Sequence, residues 1–143
     1  MISFTKREIE RAWRENKRAH TDCHNDRRTN AHRLLLFYAV ECGLKAVVMK
    51  RNKKDRTDLC PEFLEAQHNI NKLLDILRTG TELKLPDQLF MESLNNNTER
   101  KFTPGDINQM WRYGGRSDKI TDQDIEKQLL NIVFWIEKEL RAE

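Results

Sequence analysis

The sequence has few of the residues on which disulfide-rich, all-β or low-complexity proteins depend. Only five of its 143 residues are Gly, three are Pro and three are Cys. So few turn residues argue against a β-sandwich and exclude a collagen-like or low-complexity chain. An odd number of Cys without a Cys-x-x-Cys pair argues against a disulfide scaffold and favours a reduced, cytoplasmic protein. The length predicts one domain, residues 1–143.

Long hydrophobic runs and a strong charge bias are also missing. The longest apolar run, residues 34–40, is far shorter than the ~20 residues that a membrane span needs. The charged segment 1–18 lacks the apolar stretch of a signal peptide. His20, Cys23 and His24 share one helix face but have no fourth ligand at a known zinc spacing. The net charge is only +3. We therefore expect a soluble protein that contacts no membrane and binds neither a metal nor a cofactor.

The sequence does contain clear helical periodicity. Thr5 and Thr121 each begin a capping box, with an acidic residue three positions later. Residues 29–51 are apolar in nearly every helical direction, which predicts a central helix, and Gly43 within it indicates a closely packed neighbour. The predicted helices are 5–23, 29–51, 68–78, 86–94, 106–111 and 121–140. Because no convincing strand is present, we predict an all-α fold, an up-and-down bundle of four or five helices.

Two of these helices carry a pattern that goes beyond periodicity. Residues 34–45 combine the apolar run with a Glu-x-x-x-Lys pair, Glu41 and Lys45. Residues 68–74, His-Asn-Ile-Asn-Lys-Leu-Leu, begin the next long helix with His68. These segments are similar to the long buried helix and to the His-Asp-Leu-x-x-Leu helix start of the HEPN family of prokaryotic helical bundles.

A third segment adds to the resemblance. Arg112 and Tyr113 follow a long loop and precede the last helix. In this position the pair resembles the Arg-Tyr-Pro segment of the HEPN branch found beside nucleotidyltransferases. Gly114 stands here in place of that Pro. The resemblance spans about residues 31–140. It implies a helical bundle of a toxin–antitoxin or antiviral defence system, partnered by a second copy or by a protein encoded nearby, and in some relatives by RNA or nucleotides.

The resemblance does not decide between binding and catalysis. Many HEPN proteins are metal-independent ribonucleases whose late Arg-x4–6-His motif moves the 2′-hydroxyl proton and holds the phosphate charge. No His follows residue 70, so that motif is missing. The best early match is Arg27 with His32. We expect a binding module, an accessory or regulatory subunit. The alternatives are a metal-independent endoribonuclease that uses Arg27 and His32, and a purely structural adaptor.

The predicted binding residues lie mainly in one stretch, Trp-Arg-Tyr-Gly-Gly-Arg, at residues 111–116. Tyr113 can stack on a base, and Arg112 and Arg116 can hold phosphate with forked donors. The glycines let backbone N–H groups approach an anion. By the resemblance, His68 joins these three residues in lining a nucleotide or RNA pocket.

Simpler interpretations remain open for the same residues. Trp111 and Tyr113 can anchor the core, and Arg112 can pair with a core acid such as Glu41. The basic segment 50–56 and the arginine-rich face of the first helix can be solvated surfaces instead of nucleic-acid contacts.

Overall fold

The computed structural model describes residues 2–95 and 97–142, most of which are helical. The helices are α1 (Lys6–Thr21), α2 (Asn30–Arg51), α3 (Glu62–Ala66), α4 (Ile70–Leu77), α5 (Ile107–Arg112) and α6 (Asp122–Arg141). Three short strands are β1 (Leu89–Met91), β2 (Arg100–Phe102) and β3 (Ser117–Asp118). Single 3-10 turns occupy Asn25–Arg27, Thr57–Leu59 and Pro104–Asp106. Within the described residues, no helix has the length and apolar character that crossing a membrane requires.

Both predicted capping boxes are confirmed. The hydroxyl of Thr5 accepts the N–H of Glu8 at 3.2 Å, and the Glu8 carboxylate accepts the N–H of Thr5 at 2.9 Å. Thr121 and Asp124 make the same reciprocal pair at 3.0 and 3.1 Å. Each box satisfies two backbone N–H groups that have no partner inside the helix, which sets where α1 and α6 begin.

Helix α2 is the centre of the fold, as predicted. It packs against α1, α4, α5 and α6, and its apolar side chains are almost completely buried. At Gly43 an added Cβ would lie only 2.6 Å from Cε3 of Trp13 and 2.9 Å from Ile136, which confirms the predicted close neighbour. Helices α1 and α6 both pack on α2, and their backbones make little contact with each other.

A small antiparallel sheet takes the place of the helix that we predict for residues 86–94. Strand β1 lies between β2 and β3 in the order β2-β1-β3. Leu89 faces Phe102, and Phe90 faces Asp118. The prediction of this helix is wrong because strand partners far along the chain decide the conformation of a three-residue segment whose local pattern also suits a helix. The fold is mostly helical, as predicted, with a sheet that the prediction lacked.

Side-chain and backbone bonds hold two of the longer connections. Asn71 in α4 donates from Nδ2 to the carbonyl of Leu85 at 2.7 Å, and the N–H of Leu85 returns a bond to Oδ1 at 2.9 Å. At the other end of the molecule, the N–H of Lys6 donates to the carbonyl of Asp55 at 2.8 Å. The loop before the sheet and the loop after α2 are thereby fixed to helices.

Candidate functional site

One side of α2 carries three polar residues at helical spacing, Tyr38, Glu41 and Lys45, which we call the α2 platform. Glu41 is buried, while Tyr38 and Lys45 are half-buried. The Lys45 ammonium lies 3.9 Å from the Glu41 carboxylate, so the predicted Glu–Lys pair is present on this face. Residues three and four positions apart are neighbours on a helix surface, which makes the platform one continuous polar strip.

Two predicted site residues attach to this strip from different parts of the chain. His68, in the turn between α3 and α4, places its Nδ1 atom 2.9 Å from a carboxylate oxygen of Glu41. Arg112, the last residue of α5, donates from Nη2 to the hydroxyl of Tyr38 at 2.5 Å. Because Tyr38 and Glu41 are one helical turn apart, His68 and Arg112 are held at neighbouring points of the platform.

Arg112 and Tyr113 of the α5 end place a cation and an exposed ring beside the platform. The hydrogen bond to Tyr38 raises the pKa of Arg112, which keeps the guanidinium charged. Tyr113 follows Arg112 in the chain and is 78% exposed. An exposed aromatic ring beside a guanidinium is a combination that can bind a base and a phosphate together.

In the glycine turn after α5, one of the backbone N–H groups that we predict to approach an anion is already bonded. The N–H of Gly115 donates to the carbonyl of Met110 at 2.8 Å, so it is unavailable to an anion. Asn30 donates to the Gly115 carbonyl at 3.2 Å, and Glu92 donates its N–H to the Arg116 carbonyl at 3.0 Å. The turn therefore closes the end of α5 and joins it to the sheet. The Arg116 side chain is exposed beside that edge.

The simpler interpretation of residues 111–116, in which the aromatic residues anchor the core, holds for Trp111 alone. Its ring is buried, and Nε1 donates to Oδ1 of Asp122 at 2.8 Å, which links α5 to α6. Tyr113 does not enter the core, and Arg112 bonds to Tyr38 where the alternative has it paired with Glu41.

The structure separates the two residues of the early Arg-x4-His match. Arg27 is exposed in the 3-10 turn before α2. The Nδ1 atom of His32 accepts the N–H of Thr29 at 3.1 Å, so the imidazole caps the first turn of α2. Among the described residues, no hydrogen bond or ion pair joins Arg27 to His32.

A second polar cluster lies inside the protein, and the sequence analysis missed it. Oε2 of Glu126 in α6 is 2.5 Å from Nε2 of His20 in α1 and 3.1 Å from Nη1 of Arg28. Oε1 of Glu126 accepts from Nε of Arg33 in α2 at 3.0 Å, and Arg33 also donates to Asn30 at 2.8 Å. We call Glu126, His20, Arg28 and Arg33 the buried charge network.

The network contains more positive than negative charge. Burial lowers the pKa of His20, so the imidazole is neutral at neutral pH. Burial acts to raise the pKa of Glu126, but the hydrogen bonds from His20 and Arg33 and the charges of Arg28 and Arg33 outweigh it and lower that pKa. The result is two guanidinium groups on one carboxylate, which leaves one positive charge without a counter-charge.

His20 acts in this network as a positioning group and not as an acid or base for a substrate. It is 1% exposed, its Nε2 atom faces Glu126, and Nη1 of Arg28 lies 2.7 Å from Nε2 and 3.2 Å from Nδ1. Both ring nitrogens are thus engaged inside the protein. The sequence signal for the network is Glu126 itself, a carboxylate at the edge of the apolar stripe of α6.

The Cys42 thiol and the grouping of possible metal ligands bear on nucleophilic and metal chemistry in the described residues. Burial raises the pKa of Cys42 to about 11, so this thiol is protonated at neutral pH. Across residues 2–95 and 97–142, no three His, Cys, Asp or Glu side chains are grouped to hold a metal ion. His20, one of the residues considered for zinc, is bonded to Glu126.

Comparisons of this chain with protein-family models, with curated proteins and with solved structures found no match.

Proposed function

We propose that this chain is a HEPN-like helical binding module, an accessory or regulatory subunit, that holds RNA or nucleotide phosphates at the α2 platform. One observation carries the proposal. His68 and Arg112, two residues from distant segments, bond to α2 one turn apart. In this proposal, the guanidinium of Arg112 and the exposed ring of Tyr113 are the two ends of one binding surface, which Lys45 extends along the same strip.

Each member of the site has a distinct part in binding. Tyr38 fixes one nitrogen of Arg112, and the remaining N–H groups of the guanidinium fork are directed to a phosphate. Lys45 adds a second cation, and its position is set by Glu41. Tyr113 supplies a face on which an unpaired base stacks, since single-stranded RNA presents its bases in this way. Arg116 extends the positive surface toward the sheet.

The test is the binding of a fluorescein-labelled single-stranded oligouridine RNA, followed by fluorescence anisotropy at physiological salt. We expect Arg112→Ala to weaken binding roughly ten-fold or more, because a charge-assisted contact is worth about 1.5–3 kcal/mol. Tyr38→Phe should weaken it less, since the charge of Arg112 remains. Arg7→Ala is the matched control, because it removes an equal charge from the exposed face of α1.

The outcomes separate the alternatives. If Arg112→Ala and Arg116→Ala bind like the wild type and Arg7→Ala fails, α1 is the RNA surface and the platform is not. If the wild type binds neither RNA nor mononucleotides, the chain is a structural adaptor.

The pair of Glu41 and His68 favours RNA cleavage as a second candidate. A carboxylate on Nδ1 orients the half-exposed imidazole and fixes which ring nitrogen carries the proton, as general-base histidines require. The same RNA, analysed by gel, tests this activity. Cleavage lost in His68→Ala supports it, whereas cleavage lost in His32→Ala supports the Arg27 and His32 alternative.

A further inference from the structure

A cavity of about 420 Å³ lies between α1 and α6, away from the α2 platform. Leu36 of α2 lines it, and residues two positions apart on an α-helix point about 200° apart, so Tyr38 faces the other side. The cavity has the volume of a small-molecule site. A ligand of this cavity would therefore be distinct from the RNA or nucleotide proposed for the platform.

One end of the cavity is formed by the buried charge network. His20 and Arg28 both line it. Because Arg28 and Arg33 share the single carboxylate of Glu126, the network retains one uncompensated positive charge. The Nε atom of Arg28 is also buried without a hydrogen-bond partner among the described residues. A partly buried guanidinium with an unmet donor is stabilised by an anion.

The other charged groups of the cavity limit what that anion can be. Lys17 lies 3.3 Å from Glu137, so its charge is already paired. Glu137 also lines the cavity and repels a second negative group. A polyphosphate or a nucleic-acid strand fits this balance poorly, whereas a ligand with one acidic group near Arg28 fits it.

The rest of the wall is apolar. Leu36 and Val133 are buried beneath the cavity, while Phe134 is 63% exposed at its edge. The Phe134 ring extends this apolar wall and offers a face on which an apolar or aromatic group can pack. The acidic group and the apolar wall together define an amphipathic ligand.

We propose that this cavity binds a small organic anion, with one carboxylate, sulfonate or phosphate group on Arg28 and an aromatic or branched apolar body against Phe134. Glu126 and His20 act as positioning residues that hold Arg28 at the end of the cavity. Failure of RNA binding at the platform leaves this site unaffected, because the two share no residue.

The probe is anilinonaphthalene sulfonate, an aromatic monoanion whose fluorescence rises in apolar surroundings. Its uncharged analogue, phenylnaphthylamine, has the same rings without the acidic group. We expect the wild-type protein to bind the sulfonate saturably at one site and at least about ten-fold more tightly than the analogue. Competition by naphthoate and by naphthyl phosphate distinguishes a carboxylate ligand from a phosphate ligand.

Two pairs of variants locate the site. Arg28→Gln should weaken sulfonate binding about ten-fold or more, and Arg27→Gln, its exposed neighbour, should leave it unchanged. Phe134→Ala keeps the charge network intact and should also weaken binding, whereas Phe4→Ala, which removes an exposed ring before α1, should not. Near-ultraviolet circular dichroism confirms that each variant is folded.

Two results with the wild type would overturn the proposal: no saturable sulfonate binding, or equal affinity for the sulfonate and its uncharged analogue. Two results with the variants would also overturn it: unchanged sulfonate binding in folded Arg28→Gln, or unchanged sulfonate binding in folded Phe134→Ala.

Discussion

The Nε2 atom of His20 lies 2.5 Å from a carboxylate oxygen of Glu126, although 106 positions separate the two residues in the chain. The bond joins α1 to α6, and Arg33 adds α2 to the same carboxylate. Three helices thus meet at one buried anion. Their packing depends on Glu126 remaining ionised and on His20 remaining neutral.

The stability of the fold should fall in mild acid. The pKa of His20 is lowered from its ordinary 6.5, chiefly by burial. Just below pH 6.5 the imidazole is therefore protonated in the unfolded chain but still neutral in the folded protein. Stability is therefore full above about pH 6.5 and declines as the pH falls below it. The lowered pKa of Glu126 extends the loss as the pH falls below its ordinary 4.5. Urea unfolding midpoints between about pH 7.5 and 5.5 measure the effect of His20.

A non-titrating side chain at the same position isolates that effect. His20→Gln keeps a donor for Glu126 but carries no proton equilibrium, so its midpoint should vary less over this range. His24→Gln, at an exposed position before α2, should keep the wild-type slope. An unchanged slope in His20→Gln would show that the acid sensitivity arises elsewhere.

Removing the charge of Glu126 should destabilise the protein strongly. Glu126→Gln leaves Arg28 and Arg33 without their carboxylate, and breaking a buried ion pair in this way costs about 3–5 kcal/mol. The matched control is Glu137→Gln, which breaks the partly exposed contacts with Lys17 and Arg141 and should cost less than about 1 kcal/mol. Urea denaturation followed by circular dichroism measures both. Similar losses in the two variants would contradict the central role of the network.

Gly43→Ala should destabilise the protein even though Ala is the better helix former. The new Cβ would lie 2.6 Å from Trp13 and 2.9 Å from Ile136. Overpacking of this kind costs about 1–3 kcal/mol, more than the ~1 kcal/mol gained in helix propensity. Trp13→Leu in the same chain should recover part of the loss, which a double-mutant cycle detects. Additive losses in the cycle would refute the proposed clash.

Asn71→Ala should loosen the connection between α4 and the sheet. It leaves the N–H and the carbonyl of Leu85 without the partners described above, at about 1–3 kcal/mol for each buried group left unpaired. Hydrogen exchange of the Leu85 amide should accelerate as well. Asn131→Ala, at an exposed position of α6, should change stability by no more than about 0.5 kcal/mol. Slow exchange at Leu85 in Asn71→Ala would mean that other contacts hold this loop.

Helix starts and the central helix were predictable because their signals are local. The capping boxes at Thr5 and Thr121 need only residues three positions apart, and the burial of α2 follows from its own composition. The sheet was not predictable in this way. Leu89, Phe90 and Met91 suit a helix equally well, and only their pairing with the distant strands makes them extended.

The two polar clusters also differ in how far a local sequence signal indicated their residues. The resemblance singled out His68 and Arg112, and the structure bonds both to α2. For the arginines before α2, motif spacing favoured Arg27, whereas the fold turns its neighbour Arg28 inward and leaves Arg27 in water. No local pattern distinguishes these two adjacent residues, because the choice depends on Glu126 about 100 positions later.

The central position of α2 has a consequence for synthesis on the ribosome. Its apolar surface is complete once Arg51 has been made, but α6, which covers one side of it, is complete only at Arg141. At ~5–20 residues per second, roughly 4 to 20 seconds pass between the two events. During that interval α1 can already pack on α2, while the surface destined for α6 is exposed to aggregation and to chaperones.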